Sequence, residues 1–369
     1  MKRFSSLVLL IALVAGTFAF ADDATVLPLG VFRIRAIPSY SMWSQSYANN
    51  GTASAASTGN SAVTAMSGAA ELSVMNPITF GLQWAPGYYV ASSFASMPTG
   101  LASNTKMAYT GPADLQVGAK IQVVGSQGFV QNNQFRIALT PGMYVPLDSY
   151  KADTEWQNFT GGNAYRTMSA SDHQSFGFGA KADADYQIND MFFVNLHGQA
   201  LYFLPNDSVS FTTEATYYGT YAAVYAQTYA AAVAGGASTA VAASTAATNA
   251  TAYATANAPL TSTKTQYGVN TFFEFEPHAK YSFSDTTNVS AGLPFSYTYN
   301  LASTTTYNGT STTGNPESFL SVGPNVSFFS VIGPLPVEVE VQYVLPLMGQ
   351  NSNATSTLSL QLKVFGKAF

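Results

Sequence analysis

The chain predicts a closed antiparallel transmembrane β-barrel of about twelve strands, and three observations carry that prediction. Charged residues make up only 9% of 369 positions while aromatics reach 14%, whereas a soluble domain carries about 25% charge. Apolar side chains alternate with polar or small ones in segment after segment, the period of a strand with one face in lipid and the other in a lumen. After the first 21 residues no stretch reaches the roughly 18 apolar residues of a membrane-crossing helix. In lipid, only a closed barrel then satisfies every backbone polar group.

The N-terminus sets the compartment. Lys2-Arg3 forms a positive start, residues 7–20 are apolar and uncharged, and Ala19-Phe20-Ala21 is a small-x-small cleavage pattern before Asp22-Asp23. Residues 1–21 therefore read as a signal peptide cleaved after Ala21, and 22–369 as one barrel domain in a bacterial outer membrane. With no cysteine there is neither a disulfide nor a thiolate metal site. A net charge of -5 gives no reason to expect nucleic acid, and no cofactor motif is present.

The strands follow in order. Phe32, Ile34, Ala36, Tyr40 and Met42 alternate with Arg33, Arg35, Ser39 and Ser41; two arginines at i and i+2 in an apolar run require a polar interior. A short second strand sets Ala70, Leu72 and Val74 against Glu71 and Ser73, and a third sets Ile78, Phe80, Leu82 and Trp84 against Thr79, Gly81 and Gln83. The fourth places Asp114, Gln116, Lys120 and Gln122 opposite Leu115, Val117 and Ile121; the fifth places Arg136 and Thr140 opposite Phe135, Ile137 and Leu139. In the sixth Lys181, Asp183 and Asp185 oppose Phe178 and Tyr186, and in the seventh Asn195, His197 and Gln199 oppose Val194, Leu196 and Tyr202. The eighth sets Asn270, Glu274, Glu276 and Lys280 against Phe273, Phe275 and Tyr281. Residues 288–297, 320–328, 337–345 and 358–364 complete the set, with Glu338 and Glu340 inward on the eleventh.

The connections give an independent check. Short links at Asn76-Pro77, 125–133, Asn189-Asp190, 284–287 and 330–336 alternate with long polar links at 44–67, 85–111, 147–172, 205–263, 300–317 and 347–355. Short periplasmic turns opposite long external loops are the layout of an outer-membrane barrel. The chain ends in Phe369, the terminal residue that such barrels commonly offer to the barrel-assembly machinery. Phe365 and Phe369 share parity with Lys363 and Lys367, so a bulge at Gly366 is expected to flip the register.

The loop at 205–263 stands apart: from Ala215 through Ser262 it has no charged residue. Tyr218, Tyr221, Tyr225 and Tyr229 fall at helical spacing before Gly235-Gly236, which makes an Ala-rich helix with an aromatic stripe one reading and a low-complexity surface loop the other. As a helix, the stripe is a possible lid for the outer mouth.

The lumen is expected to hold Arg33, Arg35, Glu71, Asp114, Lys120, Arg136, Lys181, Asp183, Asp185, His197, Glu274, Glu276, Lys280, Glu338 and Glu340, mostly toward the short-turn end. These are either a structural salt-bridge network or part of a substrate path. Barrel closure is expected to gather Arg33, Arg35, Glu338 and Glu340 into one cluster. Three histidines are too few for much metal chemistry; His197 and His278 have lumen parity, and His197 faces Glu274 on the next strand. Ser171, Asp172, His173 and Ser175 have hydrolase residue types, but nothing identifies a nucleophile and no enzyme is predicted.

Residues 110–120, Thr-Gly-Pro-Ala-Asp-Leu-Gln-Val-Gly-Ala-Lys, and the following strand with Leu139, Gly142, Val145 and Pro146 are similar to two strands of outer-membrane proteins associated with phenol degradation, distant relatives of the long-chain fatty-acid transporters. The resemblance implies uptake of small hydrophobic or aromatic molecules. The fatty-acid transporters' N-terminal Asn-Pro-Ala is missing, so no long N-terminal hatch is expected. Two functions stay open: a transporter or narrow channel, and a non-conducting structural or surface-exposed barrel whose external loops bind a partner.

Overall fold

In most strands of the structure, a computed structural model, charged and small polar side chains point inward and bulky apolar ones outward. It describes residues 23–56, 60–94, 106–110, 114–147, 165–169, 173, 175–208, 211–259, 263–307, 309–332 and 335–369. The wall is built from β1 (Val31–Trp43), β2 (Ser61–Met75), β3 (Ile78–Phe94), β4 (Asp114–Val124), β5 (Phe135–Val145), β6 (Gly177–Gln187), β7 (Phe192–Phe203) and β8 (Asn270–Ser284). It continues through β9, in two pieces (Thr287–Gly292 and Phe295–Asn300), and β10, also in two (Glu317–Val322 and Asn325–Ile332). Then come β11 (Leu335–Gln350) and β12 (Ser356–Lys367). All pair antiparallel in chain order, and β1 meets β12 from Val31↔Lys367 to Met42↔Ser356, which closes a twelve-stranded cylinder. Ile34, Phe80, Phe178, Phe273 and Leu358 lie exposed on its outside. In water they would form an aggregation-prone surface; in a bilayer they are the lipid face.

Three sequence expectations change. The second strand is not short: it begins at Ser61, because Ser, Ala, Thr and Gly through residue 69 alternate in direction with little contrast in hydropathy. There is no bulge at Gly366: β12 runs in unbroken register, so Phe365 points inward opposite Arg33 and its ring lies 5.8 Å from the Arg33 guanidinium carbon. Finally, β9 and β10 are broken where Pro294 and Pro324 remove ladder donors. The carbonyls of Pro277, Pro294 and Pro324 accept from Leu293, Gly323 and Tyr343 on successive strands, which holds the wall together across the breaks.

Beyond the barrel, strands Asn206–Ser208, Thr263–Gln266, Thr304–Tyr307 and Thr310–Thr313 form a separate four-stranded ribbon on the long-loop side. It frames the root of the long loop, which is helical: α1 spans Phe211–Ala234 and α2 Thr239–Asn257. Gly236, at φ +86°, makes the turn, and the Ser238 hydroxyl caps α2 by accepting from the Val241 amide. Ala242, Ala246, Ala250 and Ala254 form a fully buried i, i+4 stripe along α2, small enough for the two helix backbones to approach closely. On α1, Tyr221, Tyr225 and Tyr229 stack with ring centroids 6.0 and 6.1 Å apart.

Candidate functional site: the barrel lumen

The lumen has a packed side and an open side. On the packed side Lys120, Lys181, Asp183, Asp114, Gln116 and Gln122 are almost completely buried. Asp183 is the hub: its Oδ1 lies 2.8 Å from His197 Nδ1 and 3.4 Å from Lys181 Nζ, and its Oδ2 lies 3.9 Å from Lys120 Nζ. A buried carboxylate ringed by three such groups is far cheaper to hold than an isolated one.

The floor of this side is the chain's own N-terminal segment. From Gly30 at the short-turn rim, whose amide donates to the Ser73 carbonyl, the backbone passes β3, where Leu27 N–H donates to Thr79 Oγ1 at 2.9 Å. It then reaches β4 and β6: Gln122 Nε2 donates to the Ala24 carbonyl at 2.7 Å, Lys120 Nζ to the Asp23 carbonyl at 2.6 Å, and the Ala24 amide to both Asp185 oxygens at 3.0 and 2.9 Å. Ala24, Val26 and Leu27 are buried beneath. Sequence reasoning missed this segment because a run of seven residues with no period carries no signal. Its partners were legible as an excess of inward polar groups at one end.

The open side encloses a cavity of about 590 Å³. Serine, threonine, asparagine and glutamine from β1, β2, β3, β6, β7 and β9 to β12 dominate its wall, with Ile37, Phe193, Phe272, Phe319 and Val344 as its apolar points. Its carboxylates are Asp23, Asp185, Asp190, Glu274, Glu276, Glu338 and Glu340, against Arg33, Arg35, Arg136, Lys280 and Lys363, so the lining is net negative.

The expected cluster of Arg33, Arg35, Glu338 and Glu340 divides into two groups. Glu71 on β2 takes both arginines, through Arg33 Nε and through Arg35 Nη2 at 3.3 Å. Glu338 and Glu340 instead hold Lys363 on β12, at 2.8 and 2.9 Å. The cause is register: Glu71 sits directly across from Arg33, and Lys363 directly across from Glu338. Gln361 on β12 accepts from Arg35 Nη1 at 3.4 Å.

The other expected residues fall as follows. His197 neighbours Glu274 in register but bonds Asp183, while Glu274 accepts from Ser296 Oγ at 2.5 Å. Arg136 lies 4.0 Å from Asp185 at the floor and donates to Thr25 Oγ1. Glu276 and His278 meet Asn195 and Asn325, a grouping that sequence parity contained but did not single out. Ser171 and Asp172 lie outside the described residues; His173 is buried and stacked 3.6 Å from the Phe203 ring, with Ser175 buried nearby. Tyr218, Tyr221, Tyr225 and Tyr229 are all on α1, and among the described residues none of either helix lines the lumen cavity.

The architecture matches that of an outer membrane channel from Pseudomonas putida F1 at TM-score 0.56 and 12% identity, covering 95% of this chain and all of the other. This is the fold of an outer-membrane β-barrel. Weaker likenesses are to a toluene transporter from Ralstonia pickettii (TM-score 0.37, 9% identity, 97% of each chain) and a FadL homologue from Pseudomonas aeruginosa (0.36, 11%, 92% of this chain and 90% of the other). No protein-family model matches the chain, and no curated protein matches it by sequence. At these identities the likeness shows the fold alone, a closed β-barrel of the outer-membrane kind.

Proposed function

We propose that the protein is a narrow outer-membrane channel for small solutes. The observation that carries this reading is the open half of the lumen: a cavity of about 590 Å³ lined by hydroxyl, amide and carboxylate groups and not filled with side chains. An interior of this kind lies between the packed eight-stranded barrels and the water-filled porins. The resemblance of residues 110–120 points toward small aromatic cargo, and Phe193, Phe272 and Phe319 give flat rings a surface. The surrounding polar groups favour solutes that also carry hydrogen-bonding groups, since a bare hydrocarbon would leave them unsatisfied. A phenol-like molecule fits this lining better than toluene.

Planar-bilayer recording of the detergent-folded protein tests this. Small, discrete current steps are expected, together with faster swelling of loaded liposomes in phenol than in a sugar of larger cross-section. Folded protein that leaves the bilayer silent would favour the alternative, a non-conducting barrel that presents α1 and α2 to a partner.

A further inference from the structure

Glu276 Oε1 accepts from Asn325 Nδ2 at 2.6 Å, and Glu276 Oε2 lies 2.8 Å from His278 Nε2. Asn195 Nδ2 is 3.2 Å from that same nitrogen, and the Phe193 ring stacks on the imidazole at 4.5 Å. Glu276, Asn325 and His278 pack over Gly292, the last paired residue before the break at Pro294 in β9: a methyl group there would collide with Glu276 Oε1, Asn325 Oδ1 and His278 Cε1. Asn195 is buried in the cavity wall, 7% exposed, and its Oδ1 has no hydrogen-bond partner among the described residues.

We infer that Glu276, Asn325 and Asn195, gathered around His278 in the cavity wall, form a binding site in the lumen for the ammonium group of a small primary amine. A primary ammonium carries three N–H donors and no acceptor. The cluster offers a carboxylate and two amide oxygens, Asn325 Oδ1 over the glycine and Asn195 Oδ1 in the wall. A charge-assisted bond to Glu276 is the strong one among them. The other charges that face the site leave room for a cation. Lys280, next but one along the same face of β8, is the lining cation nearest in sequence; Lys363 is held by Glu338 and Glu340, and Arg33 and Arg35 by Glu71. Gly292 is what lets Glu276, Asn325 and His278 pack together at this point of the wall, since a Cβ there would meet all three. The inference deepens the channel reading and rests on it for its role as a station on the path, though binding itself does not require conduction.

The probe is n-propylammonium chloride, applied in two ways. In calorimetric titration of the detergent-folded protein, saturable binding is expected in the parent, a loss of affinity of tenfold or more in Glu276→Gln, and tighter binding in Asn195→Asp. In planar bilayers the parent should pass cations in preference to anions, and the amine should reduce its potassium current. Absence of saturable binding to the parent, or equal affinity in the parent and Glu276→Gln, overturns the site. Binding that behaves as expected in a protein that leaves bilayers silent sustains the site and overturns the channel reading alone. Should Glu276→Gln fail to fold, as judged by heat-modifiable gel migration, the gain expected from Asn195→Asp decides the matter by itself.

Discussion

Glu71 stands between two guanidinium groups with almost no solvent access, and both arginines are themselves buried. Removing one partner of a buried pair costs about 3–5 kcal/mol, because it leaves charge without compensation. Glu71→Gln is therefore expected to destabilise the barrel by about that amount, read as a lowered urea midpoint by tryptophan fluorescence in lipid vesicles. Glu340→Gln should cost clearly less, since Lys363 retains Glu338 and the group is more exposed. Equal shifts in the two variants would mean that the charge is shared around the whole ring and not held in two groups. At this scale the sequence revealed which residues point inward, from parity alone. It did not reveal which carboxylate faces which cation, because that depends on a stagger between strands that no single strand encodes.

The strands most legible in the sequence are those whose two faces differ most in hydropathy, as Arg33 and Arg35 differ from Ile34 or Glu338 and Glu340 from Val339. Residues 61–69 were illegible for the opposite reason: apart from Val63, which turns inward, and Met66, which turns outward, they are Ser, Ala, Thr and Gly, which belong equally well on either face. In α1 and α2, tyrosine spacing and a glycine pair were visible, but the alanine stripe that joins the helices was indistinguishable from low complexity. Among the described residues the helix pair contributes nothing to the lining of the lumen cavity, and it is framed by its own ribbon. Deletion of residues 217–257 is thus expected to leave a folded, heat-modifiable barrel whose conductance equals the parent's. A rise in conductance would show instead that the pair covers the outer mouth. Within the barrel, Gly292→Val should displace the Glu276 carboxylate and lower the affinity for n-propylammonium as Glu276→Gln does, with β-type circular dichroism retained.

For the whole molecule, the cylinder's closure by β1 and β12 predicts β-type far-UV dichroism in detergent and anomalous migration on gels until boiling; a mainly helical spectrum would contradict the fold. The N-terminal floor makes a second expectation. Removing residues 23–27 takes away the groups that Lys120, Gln122, Asp185 and Thr79 bond, so conductance should rise while thermal stability falls. Unchanged conductance would mean that solutes pass only along the open side. The same segment governs how the protein can be handled. Asp23 and Ala24 are gripped inside the cylinder, so an affinity tag fused immediately before them would compete with the wall for space and be hidden from a resin. Phe369 is 65% exposed at the short-turn rim and could carry one. The turn at Gly235-Gly236, exposed between two self-supporting helices, is where a foreign epitope would be displayed to the outside of an intact cell without disturbing a single barrel strand.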